Sequence, residues 1–324
     1  MSALKPSGPG RVAIRQHRRS LWVAGCLVAA AVAVVAGLSV WRAALRDEGA
    51  CAAEDWLHCE QRIFGGQGSV SGLLGVFLEG SAHWLLFLPA LIGAFVAGPL
   101  IARELESGTH QLAWTQSVSP RRWLAAKAGG AAVVAALIAA VLTGTFMSGY
   151  ASVHDRVLLR WPDRGLYESS GPVLAAYCLL GVAVGALVGL LVRRTVAAMA
   201  VAGPVTAAVL LVFGSFRWDV WPHETLSGTG TDREHGMSGL PFDTFLLRSG
   251  YTTESGERLA YDACWSPDTG HDVCPPELGI TGWFAEYHPS SAFWPVQFTE
   301  TALVLALTAL AALAAFRALR QQHA

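Results

Sequence analysis

Three groups of residues in this sequence carry chemistry. The first is Glu104-x-Glu106-x-Gly108-Thr109, two carboxylates followed by a residue that accepts either backbone hand. Carboxylates placed this way form ion pairs or accept N–H bonds, and the glycine lets the chain bend sharply behind them. The second is Glu300, a formal charge inside an apolar run and so a candidate for translocation or gating. A charge at mid-membrane costs about 2.5–3.5 kcal/mol on insertion scales, and chains keep one there for a reason. The third is Cys264 and Cys274 with His271 between them, which read as a disulfide or as three zinc ligands. Their spacing matches no zinc pattern and a fourth ligand is missing, so no metal site is expected and the disulfide is preferred. Cys51 and Cys59 are the other disulfide candidates, expected as a second local pair, although four cysteines allow three connectivities.

Catalytic patterns are missing. There is no His-Glu-x-x-His pair, no Gly-x-Ser-x-Gly elbow and no pair of intramembrane aspartates to act as acid and base. Lys5 and Lys127 are the only lysines and neither follows a phosphate-loop pattern, so no ATPase is encoded here. The chain reads as a non-enzyme that binds no cofactor of its own. His58, His154, His223, His235, His271 and His288 read as surface residues of the segments that carry them.

The elements that position these residues are membrane helices. Only 15% of the 324 residues are charged, against about a quarter in soluble domains. Crossing the hydrocarbon takes about 20 apolar residues. Six runs satisfy this: 21–41, 84–102, 128–150, 172–192, 195–216 and 294–316, all but the last without a charge. Tryptophans 22, 41, 84, 123, 218, 221 and 294 stand near their ends, as an aromatic belt requires. The fold class is therefore an all-α polytopic membrane protein with six transmembrane helices and irregular extracytoplasmic loops.

Orientation follows the basic residues. With the N-terminus inside, segments 1–20, 103–127, 193–194 and 317–324 hold 13 of 23 Lys and Arg in 55 positions, which puts both termini in the cytoplasm. The outer loops are then 42–83, 151–171 and 217–293, with 21 of the 24 acidic residues. Such a distribution argues against a nucleic-acid partner. Arginine in place of lysine, with abundant alanine, fits a bacterial plasma membrane.

Finer expectations follow. Loop 217–293 has turn signals and no sustained period, and reads as a small irregular cap, with any helices short and at the membrane surface. The glycine-rich stretch 65–80 is a candidate for partial re-entry into the bilayer. Gly181, Gly185 and Gly189 lie four apart on one helical face and form a packing seam. Arg193 and Arg194 alone separate the fourth and fifth spans, which makes those helices a tight antiparallel pair. Thr143, Thr145, Ser148 and Thr206 are expected to bond between helices, and Cys26 and Cys178 to be packing residues. Glu300 is six residues from Trp294, about 9 Å deep at 1.5 Å per residue, where water or headgroups reach a carboxylate bonded to a neighbouring helix.

Loop 103–127 reads as a continuation of the second helix, a bend at Gly108, and a restart with Ser119 as N-cap and Pro120 at the first helical position. Here the sequence resembles the permease subunits of ATP-binding-cassette exporters of the drug and polysaccharide type. The matching positions are Glu104, Glu106, Gly108, Thr109, Leu112, Pro120, Arg121 and Lys127; the family places Ser after Pro, whereas Ser119 precedes Pro120 here. Permeases of filamentous actinobacteria share the stretch "LPALIGAFVAGPLIARELESGTHQLAWTQSVSPRRWLAAK" and an ending like "YHPSSAFWPVQFTE". The resemblance covers 86–127 well and the outer loops poorly.

What the resemblance implies is a coupling loop seated in a groove of a separate ATPase subunit, which holds the ATP and Mg. Leu105, Leu112 and Trp114 would then anchor it, and Glu104 and Glu106 would pair with basic residues of the partner. Six spans imply a second permease copy, identical or related, with the Gly181/Gly185/Gly189 face as one packing surface; the lipid bilayer is the other partner. A sensor or scaffold with ligand-binding outer loops is the alternative, and a membrane enzyme ranks below it.

Overall fold

The computed structural model describes residues 18–47, 70–115, 119–153, 160–230, 239–240, 243–266, 271–272 and 274–321. They fall into two units, one drawn from the chain before 160 with 163–215 and 297–321, the other from 160–162 and 216–296.

The first unit is a helical bundle. Its helices are α1 (Arg18–Asp47), α2 (Val70–Leu91), α3 (Gly98–Glu106), α4 (Thr109–Thr115), α5 (Pro120–Val153), α6 (Leu166–Ser169), α7 (Val173–Val192), α8 (Thr195–Phe216) and α9 (Phe293–Gln321). Six stretches are long and apolar enough to cross a membrane: Trp22–Ala44, Val70–Glu106, Pro120–Val153, Val173–Val192, Thr195–Asp219 and Ser290–Gln321. The second begins well before residue 84, so 70–83 is helix where a loop was expected, and the 70–80 part of the re-entry candidate is regular helix. Its 37 residues would reach about 55 Å, more than the hydrocarbon needs.

The helix at the centre is α7. Its sequence is apolar on every side and it is buried along most of its length, the pattern of a helix surrounded by others. Its glycine face receives the second span. A Cβ on Gly185 would lie 2.6 Å from Ala97 Cβ and 2.8 Å from both Gly93 O and Gly98 N, and one on Gly189 would lie 2.9 Å from Gly98 O. Gly181 meets the Pro89 carbonyl in the same way. The seam is thus filled within the chain, which removes it as the surface for a second copy.

Opposite that seam the second span leaves the α-helical path. Residues Ile92–Ala97 form a π-helix, and Gly98 N–H donates to Gly93 O, five residues back. Pro89 lacks an N–H to donate, and the bare backbone of Gly93 lets the wide turn lie beside Thr206 and Gly181. Between α7 and α8 the turn is Arg193–Arg194, with Arg193 at φ 54, the left-handed close that a two-residue reversal demands.

The second unit corrects the expected irregular cap. It holds a four-stranded antiparallel sheet in the order β1-β6-β2-β3, with β1 at Glu224–Thr229, β2 at Phe245–Thr253, β3 at Arg258–Ala260 and β6 at Ile280–His288; β4 (Trp265–Ser266) and β5 (His271–Asp272) pair separately. Strand β6, "ITGWFAEYH", is buried along most of its length, so it shows no polar alternation and its period is invisible in sequence. Cys264 and Cys274 form a disulfide beside Tyr251, Trp283 and Ala285. Trp161 donates its indole N–H to Asp243 O at 2.7 Å and packs against Trp218, Phe245 and Phe293. His288 is buried, with Nε2 donating to Trp218 O at 2.9 Å, not a surface residue as expected.

Candidate docking loop and intramembrane carboxylate

Helix α3 ends because Gly108 adopts φ +71, a left-handed conformation that favours glycine. Ser107 N–H donates back to Arg103 O at 3.0 Å, and Gln111 N–H to Gly108 O at 3.1 Å as α4 starts. Beyond the undescribed 116–118, Ser119 Oγ accepts the Arg122 N–H at 3.4 Å, and Pro120 opens α5. Helix, bend and elbow all lie where the sequence puts them.

Both carboxylates find partners within the chain, Glu104 partly screened and Glu106 at the surface. Glu104 accepts the Trp123 indole N–H at 2.9 Å and pairs with Lys127 Nζ at 2.5 Å, which joins α3 to the start of α5. That contact is largely screened from water, with side-chain exposures of 11% for Lys127 and 22% for Glu104. Glu106 Oε2 accepts both Thr195 N–H at 2.8 Å and Thr195 Oγ–H at 2.6 Å, so it caps the N-terminus of α8 from outside that helix. These two hydrogen bonds, with a smaller contribution from the Arg194 charge, hold the Glu106 carboxyl below its ordinary range.

A pH dependence follows. A lowered carboxylate pKa contributes stability that is complete above the ordinary value and is lost as the pH falls through the folded one. Wild type is expected to melt above Glu106→Gln by a constant margin from neutral pH down to about pH 5.5, and the margin should close as the pH drops below about 4.3. Thermal unfolding in mild detergent checks it; an unchanging margin would remove Glu106 as an ionised cap.

The expected apolar anchors also face inward. Trp114 stacks edge-on against Trp123 (centroids 6.0 Å) and His110 (4.6 Å), and with Leu105 it packs on a cluster of Ile101, Trp123, Leu124, Leu190 and Leu319. The Leu112 side chain lies outside the described set. Thr109 is exposed, with Oγ1 at 3.0 Å from Ser107 Oγ. His110 Nδ1 donates to Glu104 O at 3.0 Å, fastening α4 to α3.

Glu300 is deeper in protein than its sequence position suggests. It is buried on α9, and Tyr177 of α7 donates its hydroxyl to Glu300 Oε1 at 2.5 Å. One turn away Gln297, also buried, donates to Tyr167 O at 2.6 Å, and its amide fills the space beside Gly171. Tyr177, Tyr167 and Gln297 were not foreseen, and a separation of 123 residues between Tyr177 and Glu300 leaves no local signal. Thr145, Ser148 and Thr206 do not bond between helices; they donate to Val141, Thr145 and Ala202 carbonyls of their own helices. Cys178 is buried, while Cys26 is exposed on α1, and Cys51 and Cys59 lie outside the described residues.

No curated protein and no solved structure matches the chain. A family match spans residues 23–217, from the first helix to the end of the fifth, and so takes in loop 103–127 with Glu104 and Glu106 and the glycine seam, but not Glu300. Five of the six apolar helices, with the paired carboxylates at the foot of the second, are thus the part that is shared: the chain belongs to the ABC-2 membrane transporter related family.

Proposed function

We propose that the chain is the permease subunit of an ATP-driven exporter of the drug or polysaccharide type, set in a bacterial plasma membrane with both termini and loop 103–127 in the cytoplasm. A separate ATPase subunit binds ATP and Mg and docks on the loop, and two permease copies complete the path. Glu300, held by Tyr177, is the proposed gating carboxylate.

The observation that carries this reading is how the loop is fastened. Glu104 ties it to α5, Glu106 to α8, and Trp114 to the cluster that includes the end of α9. A push on α4 therefore reaches three further spans without crossing a flexible link. A loop that merely joined two helices would not need such bracing.

Purification in mild detergent tests it. An ATP-binding-cassette subunit encoded alongside this chain is expected to copurify with wild type and to be lost with Gly108→Pro, since proline cannot adopt φ +71. Persistence of an intact, ATP-hydrolysing complex with that substitution would defeat the docking reading.

A further inference from the structure

With Glu104 paired to Lys127, and Glu106 exposed but capping α8, the outer surface of this end of the bundle is mainly basic. Arg103, Arg121, Arg122, Arg193, Arg194 and Arg320 are all exposed. Ile101, Trp123, Leu190 and Leu319, which neighbour them in sequence, pack into one cluster, so the arginines ring one small area. Among the described residues none of the six forms an ion pair; Arg194 acts on Glu106 only through its charge. Segments 103–127 and 193–194 contain no other acid.

We infer that this ring of arginines recognises an acidic surface on the ATPase subunit, and that Glu104 and Glu106 act as positioning residues, Glu104 with its charge cancelled by Lys127 and Glu106 held against the start of α8. The inference rests on the permease reading and reverses the polarity its family likeness suggests. An unpaired Glu104 in the middle of the ring would repel an acidic partner, and its ion pair with Lys127 removes that penalty. Short hydrogen-bonding side chains, Ser107, Thr109, Gln111 and Thr115, are exposed along the loop between the arginines. Arginine suits the task because its planar guanidinium grips a carboxylate through two parallel N–H bonds. A lipid-facing surface at this depth would present aromatic groups outward, whereas Trp114 and Trp123 are turned in.

The test uses the full chain in nanodiscs of phosphatidylcholine alone and of phosphatidylcholine with phosphatidylglycerol, titrated with the purified ATPase subunit encoded alongside it. Affinity in neutral discs is expected to fall about tenfold or more for Arg121→Gln/Arg122→Gln, and further for Arg121→Glu/Arg122→Glu. Wild-type binding should also weaken as salt rises from about 50 to 300 mM, where screening shortens to a few ångströms. The neutral pair keeps the test valid if the reversed pair fails to insert. Unchanged affinity in the neutral pair, or wild-type binding that depends on phosphatidylglycerol and not on the arginines, overturns the inference and leaves the permease reading intact. No ATPase binding by wild type in either disc overturns both.

Discussion

Gly185→Leu is expected to prevent assembly of the helical bundle, with no monodisperse protein recovered in detergent, while Gly130→Ala keeps the wild-type melting temperature or raises it slightly. The two glycines differ in what surrounds them. The first atom of any side chain at Gly185 would lie 2.6–2.8 Å from Ala97 Cβ, Gly93 O and Gly98 N, and two of these three are backbone atoms that cannot rotate away. Overpacking a core typically costs about 1–3 kcal/mol, and leucine adds three more carbons beyond the one already in collision, so the effect belongs at or above the top of that range. Membrane helices depend on such close approach because lipid offers them no hydrophobic drive to associate. At Gly130 nothing lies within 4 Å, and alanine there gains roughly 0.5–1 kcal/mol of helix propensity. Thermal unfolding and size-exclusion profiles of the pair, with Gly185→Ala as the intermediate case, read the difference directly. A Gly185→Leu protein that melts like wild type would mean the seam between the second and fourth spans is not closed.

Glu104→Ala is expected to destabilise the loop end by about 2 kcal/mol and, on the proposed permease function, to uncouple ATP hydrolysis from transport. Removing one partner of a fully buried ion pair costs about 3–5 kcal/mol, and the partial exposure of Glu104 reduces this. The loss leaves the Lys127 ammonium and the Trp123 indole N–H without their shared acceptor. Glu104→Gln should fall between, since one amide oxygen serves one donor and its NH2 group faces the other. Lys127→Met in the Glu104→Ala background should recover part of the stability, because it removes the stranded charge. Coupling should not recover, since the link between α3 and α5 stays broken. Equal melting temperatures for wild type and Glu104→Ala would show that the brace carries no weight.

How much of this was readable from sequence depends on range. Apolar length found the membrane helices, and Ser119, Pro120 and Gly108 marked the loop's bend and restart because each acts on its own backbone. Partners across the fold were not readable: Glu104 is 23 residues from Lys127, and Glu106 is 89 from Thr195. The chemistry of a loop offered the carboxylates to a partner's basic residues, and it did not reveal that the starts of α5 and α8 lie within their reach. The glycine seam was visible as a pattern, yet its occupant was not; the second span of the same chain took it. The sheet escaped because β6 is covered on both faces, so its apolar and polar residues do not alternate. Serine and threonine in the spans were assigned to neighbours when the carbonyl three or four residues back was nearer.

The wide turn at Ile92–Ala97 has a geometric effect on everything after it. A π-turn inserts one extra residue into the helical count, which advances the azimuth of all later side chains by about 100° relative to an unbroken α-helix. The direction in which α3 aims Glu104 and Glu106 is therefore set within the second span, about two turns before either is reached. Deleting a single residue there would leave composition and hydropathy almost untouched and would swing both carboxylates away from their acceptor-seeking donors, so the compass of the loop lies in the span above it.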